Sequence, residues 1–339
     1  MLVKAITGIL CTALCAMPQG YTISARPGVV NYIEGDAYRN NEEISGKSAG
    51  KTFLDANDTI STHKGKAEVL LTPGVFLRVG ENSEIKMISP SLTNTEVEVT
   101  EGEAMLEVAE LSKDNDIQIL DNGGTTRIEK TGLYRFTADS PPTAAVIQGK
   151  AQVQFGEKKV QLGKDHETVI SDLLKPAKFD SKKDDDLYAW SMGRDQYISA
   201  ASYASAKSAA SSSVGGGFGY GFGSAAPGWS WNSNWNSWAW LPGNGAFFSP
   251  FGYGFFAPVL TRYAPLVYVP IRVAGHPGTA VAVPVNFPNS SGLASSGHVN
   301  GAAIRSSASS AAVAPSSGRH SGGGVSGMSG GHAAGGGHR

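Results

Sequence analysis

The fold of this chain is decided by residues 65–88, which read GKAEVLLTPGVFLRVGENSEIKMI. It reads as a strand, a tight turn at Pro73-Gly74, a second strand, a turn and a third strand. The stretch recurs 49 residues further on, where the following pairs correspond: Leu70 and Ile119, Gly74 and Gly123, Arg78 and Arg127, Ile85 and Tyr134. Residues 101–104 also match residues 148–151, at an offset of 47. Such a repeat predicts stacked β units that share one core.

Short β patterns continue over residues 28–175, with turn residues between them and no long helical pattern. Many strands expose every second side chain, so each should have one buried and one wet face. We therefore predict an all-β domain over 28–175, built from a duplicated unit of about 50 residues as a sandwich or a short β-solenoid.

An amphipathic helix is predicted over residues 181–211, with Ser181 or Asp184 as its cap. Its apolar side chains recur at helical spacing, so that one face could dock on the β domain. These side chains are Leu187, Trp190, Tyr197, Ala201 and Ala204.

Residues 1–20 are expected to be a signal peptide rather than part of the fold, since Lys4 precedes an apolar run over residues 5–16. A helix of that length would reach about 18 Å, against the roughly 30 Å core of a bilayer. We therefore expect export and no transmembrane span after signal removal. Both cysteines, Cys11 and Cys15, lie within this segment, so the mature protein should contain no thiol.

The charge pattern divides the chain in two. All 29 acidic residues precede position 196, which gives about −7 for residues 1–200 and +6 for the remainder. Residues 212–290 form a low-complexity region rich in Gly, Trp, Phe and Pro, and residues 291–339 are expected to be a disordered Ser/Gly/His tail. Six scattered basic residues in the second part make no patch, which argues against nucleic-acid binding.

Two sets of residues are candidate contacts for a ligand or partner. Arg78 and Arg127 occupy equivalent places in the two repeats, although structural ion pairs are the plainer interpretation of both. The aromatic set could stack on sugars, lie at a membrane interface or mediate self-association, and its alternation with polar residues puts the rings on one side of an extended strand. It consists of Trp229, Trp231, Trp235, Trp238 and Trp240.

The run from Asp58 to Ser83, with its AEVLL, Pro-Gly and LRVGENS segments, resembles the FecR-like extracytoplasmic domain. It is similar to signal-bearing versions of the acidobacterial type, and the likeness extends to DDLYAWSMGRDQY at residues 185–197 and to the aromatic stretch at 238–256. Regulators of this family add a cytoplasmic anti-sigma segment and a membrane span, which this sequence is not expected to have. The resemblance implies a non-catalytic β domain, periplasmic, envelope-associated or secreted, that binds envelope polymers or envelope proteins.

The sequence favours a binding or scaffolding protein over an enzyme, because no catalytic constellation, metal motif or cofactor motif is recognisable. Recognition of an envelope polysaccharide, peptidoglycan or partner protein, with a role in envelope signalling, is the first hypothesis. A structural or adhesive surface protein acting through the aromatic tail is the alternative. An envelope polysaccharide hydrolase is the remote one, because paired carboxylates on strands arise readily by chance.

Overall fold

The computed structural model describes residues 23–24, 26–180, 185–212, 228–261, 267–270 and 280–283. The expected signal peptide, the 291–339 tail and the proposed caps Ser181 and Asp184 lie outside these residues. The strands before the long helix are β1 (Ile23–Ser24), β2 (Val29–Arg39), β3 (Glu42–Ile44), β4 (Thr59–Leu70), β5 (Val75–Val79), β6 (Glu84–Pro90), β7 (Thr95–Glu101), β8 (Glu103–Val108), β9 (Ile117–Asp121), β10 (Gly124–Ile128), β11 (Gly132–Thr137), β12 (Thr143–Gln148), β13 (Lys150–Phe155), β14 (Lys158–Gly163), β15 (His166–Val169) and β16 (Ala177–Lys178). Then follow helix α1 (Asp186–Ser212), β17 (Gly228–Asn232), β18 (Ser237–Leu241), β19 (Ala246–Phe248), β20 (Gly254–Phe256), helix α2 (Pro258–Thr261), β21 (Val267–Pro270) and β22 (Ala280–Val283).

Strands β2 to β16 form one hydrogen-bonded sheet that folds into two layers. Its path is β14-β13-β10-β9-β7-β6-β4-β5-β8-β11-β12-β15-β16, with β2 and β3 beside β4. Strand β4 belongs to both layers, since its first residues pair with β6 and its last with β5. Inward side chains of both layers form a single apolar core, which includes Ile85, Val97 and Val153 from one layer and Leu77, Leu106 and Val146 from the other. The all-β prediction is confirmed, and the architecture is a sandwich.

The bend in β4 depends on two glycines that face each other across the β2–β4 pairing. Gly35 pairs with Gly65, and the register shifts immediately after it. A Cβ atom on Gly65 would come within 2.4 Å of the Glu34 carbonyl oxygen, and one on Gly35 within 2.1 Å of the Lys64 carbonyl oxygen. Only glycine lets the two backbones cross this closely.

The repeat predicted from the sequence is present in the strand registers. Val79 pairs with Ala104 as Ile128 pairs with Ala151, so β5–β8 and β10–β13 are equivalent at the expected offsets of 49 and 47. The β6–β7 and β11–β12 pairs agree even in their bulges, which lie between Glu84 and Ile85 and at the corresponding place before Tyr134.

One part of the repeat alignment was wrong. Leu70 pairs with Phe76 as Leu120 pairs with Thr125, so the first strand is displaced by 50 residues and Leu70 corresponds to Leu120, not to Ile119. The physical reason is that the second hairpin has a turn one residue shorter.

Helix α1 and the aromatic hairpins form a third layer on the outer face of the second sheet layer. Outward side chains such as Leu70 and Phe76 join Ile198 of α1 and the rings of the 228–261 segment in a second apolar cluster. Leu187 completes a third cluster with Met105 and Leu133. The prediction of one helix after the β domain is confirmed, and the helix begins at Asp186. Asp185 accepts a hydrogen bond from the backbone N–H of Tyr188 at its start (3.2 Å).

The aromatic segment is folded over residues 228–261. Strands β17 and β18 form a hairpin in which Trp229 lies opposite Trp240 and Trp231 opposite Trp238. Trp229 and Trp231 thus lie on one side of β17, and Trp238 and Trp240 on the same side of β18. The prediction of one extended strand was wrong, because the chain reverses at residues 233–236 and Trp235 lies in that turn. A second hairpin, β19–β20, and the short helix α2 follow.

Candidate functional site

Arg78, the first candidate contact, is fully buried between the second sheet layer and α1. Its Nε donates to Glu68 Oε2 at 3.2 Å, and its Nη1 donates to Glu107 Oε2 at 2.5 Å. The three side chains sit on the adjacent strands β4, β5 and β8, on the outward face that carries Leu70 and Phe76. The expected ion pair is confirmed, and its place is the interior of the protein.

Helix α1 completes this arrangement with Arg194 and Asp195. Arg194 Nη2 donates to Glu68 Oε1 at 3.0 Å, and Asn31 Nδ2 donates to the same oxygen at 3.0 Å. Asp195 accepts a hydrogen bond from the Ser249 hydroxyl, which belongs to the aromatic segment. We call Glu68, Arg78, Glu107, Arg194 and Asp195 the buried charge cluster, and it links the sheet, the helix and the segment that follows.

The protonation of the cluster follows from its charges. Two guanidiniums face three carboxyl groups, so one proton is needed for neutrality. Burial, followed by the neighbouring Glu107 charge, raises the pKa of Asp195 well above its ordinary value. Burial would raise the pKa of Glu68 too, but Arg194 and Arg78 hold it below its ordinary value. Burial raises the pKa of Glu107 as well, and the Arg78 charge partly offsets this rise. Because Glu107 is bonded to the Arg78 guanidinium and Asp195 to the neutral Ser249 hydroxyl, we expect Asp195 to carry the proton.

This assignment predicts how Asp195→Asn changes the pH dependence of stability. A carboxyl whose pKa is raised on folding stabilises the fold fully below its unfolded pKa and loses that contribution as pH rises through the folded pKa. The loss in the native chain therefore begins near the ordinary aspartate pKa of 3.8 and continues up to the raised value. The variant stays neutral throughout. Urea unfolding at about pH 5 and about pH 9 should show the D195N protein gaining stability relative to the native chain as pH rises.

Four side chains near Asp195 have to be considered when its pH dependence is interpreted. Glu107, Arg78, Ser249 and Tyr253 lie close enough to influence its protonation or to be influenced by it. The control is Ser249→Ala, unfolded in urea at the same pH values. This variant keeps the Asp195 carboxyl group and removes only the hydroxyl group that donates to it. A D195N protein that follows the native curve at every pH would contradict a protonated Asp195.

Arg127, the equivalent residue in the second repeat, lies in a different environment. Its side chain is 59% exposed on the outer face of the first sheet layer, and its Nε is 2.8 Å from Asp116 Oδ1. The expected ion pair is again confirmed. In the strand registers Arg127 lies between Gln118 of β9 and Gln152 of β13, so it is part of a polar row that crosses the layer.

The five tryptophans divide between the interior and the surface. Trp229 and Trp240 are completely buried and Trp238 is 7% exposed; Phe76 and Phe255 belong to the same apolar cluster. Trp231 and Trp235 are half-buried. Contact with a ligand stays a prediction for all five residues. Of these, only Trp231 and Trp235 are not buried in the folded protein.

Glu68, Glu107, Arg194 and Asp195 were not singled out by sequence reasoning. The available signal was that β4 and β5 read AEVLL and VFLRV, with apolar side chains on both faces. Strands of that kind are covered on both sides, so the charges between their apolar residues had to be buried and paired.

Among the described residues, no group of three or more His, Cys, Asp or Glu side chains could hold a metal ion. No helix in the described part of the chain has the length and hydropathy needed to cross a membrane.

Comparison with known proteins identifies the β domain. Residues 58–152, from the start of β4 into β13, match the family described as FecR protein. The chain is also similar to two crystal structures, at 1.65 and 2.50 Å resolution, of a candidate anti-sigma factor from Parabacteroides distasonis. The first is 18% identical with a TM-score of 0.34 over 40% of this chain and 65% of that chain; the second is 16% identical with a TM-score of 0.31 over 39% and 61%. The chain thus spans less than two thirds of either structure. No curated protein matches it. The resemblance seen in the sequence is confirmed for residues 58–152, which match the FecR protein family.

Proposed function

We propose that this chain is an exported, non-catalytic FecR-type protein that recognises an envelope component, either a polymer or a partner protein, and takes part in envelope signalling. The FecR match over residues 58–152 carries the proposal, because these residues supply strands to both layers of the sandwich. The apolar run at residues 5–16 supports export. The mature protein would act in the periplasm, attached to the envelope, or after secretion.

The outer face of the first sheet layer is one surface on which such recognition could occur. The second layer is covered by α1 and the aromatic hairpins, whereas the first exposes a row of polar side chains across five strands. In register from β14 to β7 the row consists of Gln161, Gln152, Arg127, Gln118 and Glu96. Amide and charged groups aligned at the strand spacing of about 4.8 Å offer repeated donors and acceptors.

The alternative, adhesion through a free aromatic tail, is not favoured by the packing. Trp229 and Trp240 pack against Phe76 and Phe255, and their burial there stabilises the fold itself. Buried aromatic rings of this kind contribute to folding and not to contacts with other molecules.

Two measurements test the proposal, one for export and one for envelope recognition. Residues 1–27 fused to a reporter that is active only outside the cytoplasm should give activity, and an inactive fusion would overturn export. The mature chain should co-sediment with protein-free peptidoglycan sacculi or capture envelope proteins from a detergent extract. If it retained neither material above the level of an unrelated exported β protein, envelope recognition would be refuted.

Arg127→Gln separates a binding role from a structural one. Exposed ion pairs contribute at most about 1 kcal/mol, so unfolding in urea should be nearly unchanged. If the polar row contacts the envelope component, retention of the bound material should fall severalfold. Arg26→Gln is the matched control, since Arg26 is 48% exposed and pairs with Asp55 outside this layer. Equal retention by both variants would remove Arg127 from the list of contacts.

A further inference from the structure

A continuous series of half-buried aromatic rings lies where the β sandwich, helix α1 and the aromatic segment meet. We define the aromatic strip as Tyr32 of β2, Trp190 and Tyr197 of α1, and Trp235 of the turn between β17 and β18. We propose that the aromatic strip binds a neutral polysaccharide chain by stacking on its sugar rings. The proposal rests on the envelope recognition proposed above and specifies its ligand class.

The helix spacing explains how the strip arises. Trp190, Arg194 and Tyr197 are at positions i, i+4 and i+7, which fall on one helix face. Arg194 lies between the rings of two different elements, with its guanidinium carbon 3.9 Å from the centre of Tyr32 and 4.9 Å from the centre of Tyr197. Such guanidinium–ring contacts are favourable and fix both rings around one cation.

Each end of the strip extends by one indole ring. Tyr32 and Trp190 have ring centres 6.2 Å apart at an interplanar angle of 39°. Tyr197 and Trp235 are 5.0 Å apart, edge to face. The order along the strip is thus Trp190, Tyr32, Tyr197 and Trp235, with Arg194 at its centre.

The rings are held in place before any ligand arrives. Arg194 is anchored by the fully buried Glu68, and the Trp190 indole N–H donates to Glu34 Oε2 at 3.0 Å. The Tyr197 hydroxyl donates to the Trp235 carbonyl oxygen at 2.5 Å, which fastens the hairpin turn to the helix. A surface organised in this way loses little conformational entropy on binding.

The charges of the strip favour a neutral ligand. The Arg194 guanidinium is compensated by Glu68, so it offers no free cation to an anionic ligand. Glu34 accepts its hydrogen bond from a neutral indole N–H, which leaves a negative charge beside Trp190 that disfavours an anionic ligand. Within the described part of the chain, nothing hydrogen-bonds the Tyr32 hydroxyl. Burial raises the pKa of Tyr32, which keeps the phenol protonated and able to donate to a sugar hydroxyl.

The chemistry of sugars matches this surface. A pyranose has an apolar face of C–H groups that lies against the electron-rich face of an aromatic ring, and a polar rim that takes hydrogen bonds. A chain of sugar units needs several rings in sequence, and four rings on three elements provide them. A proline-rich peptide is the other extended chain that aromatic surfaces bind, and it is distinguished by the experiment.

The experiment uses the full mature chain and chitohexaose, a soluble neutral oligosaccharide, in isothermal titration calorimetry. We expect saturable binding that hardly changes with salt, since no charge is neutralised. Trp190→Ala and Trp235→Ala should each weaken binding about tenfold, whereas Trp235→Phe should retain most of it because the flat ring remains. Phe248→Ala is the control: Phe248 is 49% exposed in the same segment but outside the strip.

The outcomes separate this inference from the proposed function. Binding to chitohexaose or to sacculi that survives both Trp→Ala variants, with their circular dichroism melts unchanged, would overturn the strip while leaving envelope recognition intact. Binding to a proline-rich peptide and not to sugar would also overturn it. Loss of sugar binding in both alanine variants, with Phe248→Ala behaving like the native chain, would establish it.

Discussion

Arg78→Met is expected to destabilise the protein by about 3–5 kcal/mol, the cost of removing one partner from a buried ion pair. Arg78 is completely buried, and its loss leaves Glu68 and Glu107 without the cation to which both are bonded. Methionine is unbranched and similar in length, so the change removes the charge without opening a large cavity. Since domains of this size are stable by roughly 5–15 kcal/mol, urea unfolding should show a large shift of the midpoint.

The equivalent substitution in the second repeat is the matched control. Arg127→Met removes the same side chain from the same place in the strand register, but its side chain is 59% exposed. Its cost should stay below about 1 kcal/mol. Similar losses for the two variants would show that Arg78 is not held in a closed interior.

A second variant identifies the origin of the loss. In the Arg78→Met background, Glu107→Gln removes one of the stranded carboxylates, so the double variant should be more stable than the single one. In the native background Glu107→Gln should destabilise, because it weakens the 2.5 Å contact with Arg78. If the destabilisation by Glu107→Gln instead added to that by Arg78→Met, the stability lost in Arg78→Met would come from packing and not from an unpaired charge.

The contrast between the two arginines shows how far the sequence could lead. Their equivalence was visible in the repeat, and the strand registers confirm it. Their different burial depends on what covers each layer, and the cover of the second layer comes from α1 and residues 228–261, far along the chain. A repeat describes what two units share, and therefore cannot reveal a surface that only one of them buries.

The fold of the aromatic segment was missed for a related reason. Gly, Ser and Asn between the rings, together with the absence of charge, predicted low-complexity chain. Its apolar partners are Val29, Leu70 and Phe76, which become available only when the sandwich presents its outward face. The candidate Trp235 was found from composition, but its neighbours Tyr32 and Arg194 come from other segments, so the aromatic strip had no continuous signature.

Trp240→Ala should also cost about 3–5 kcal/mol, the usual effect of removing a buried tryptophan side chain. Trp240 is fully buried, with its ring centre 4.9 Å from that of Phe255 and 5.2 Å from that of Phe247. Its ring also lies against Gly74 in the β4–β5 turn, where even a Cβ atom would approach to 2.9 Å. The substitution therefore opens a cavity between the aromatic segment and the FecR domain. Phe248→Ala, at a position 49% exposed, should cost far less.

The distribution of tryptophan makes the readout specific to each part of the chain. All six tryptophans lie at position 190 or later, so intrinsic fluorescence reports α1 and the aromatic segment. Far-ultraviolet circular dichroism reports α1 and, in addition, the strands β2 to β16 of the sandwich, which contain no tryptophan. In the native chain the two signals should change together during unfolding, as a single cooperative transition requires.

Trp240→Ala tests whether the aromatic segment and the sandwich unfold in one cooperative transition. If the aromatic segment and the FecR domain are one folding unit, the fluorescence and dichroism midpoints should fall by the same amount, because the cavity weakens contacts with Phe76 and Leu70 on the sheet. If the segment were an independent adhesive tail, only the fluorescence midpoint would move. A shared shift would mean that the aromatic strip exists only while the β sandwich is folded. A ligand that binds the strip would then also stabilise the FecR domain.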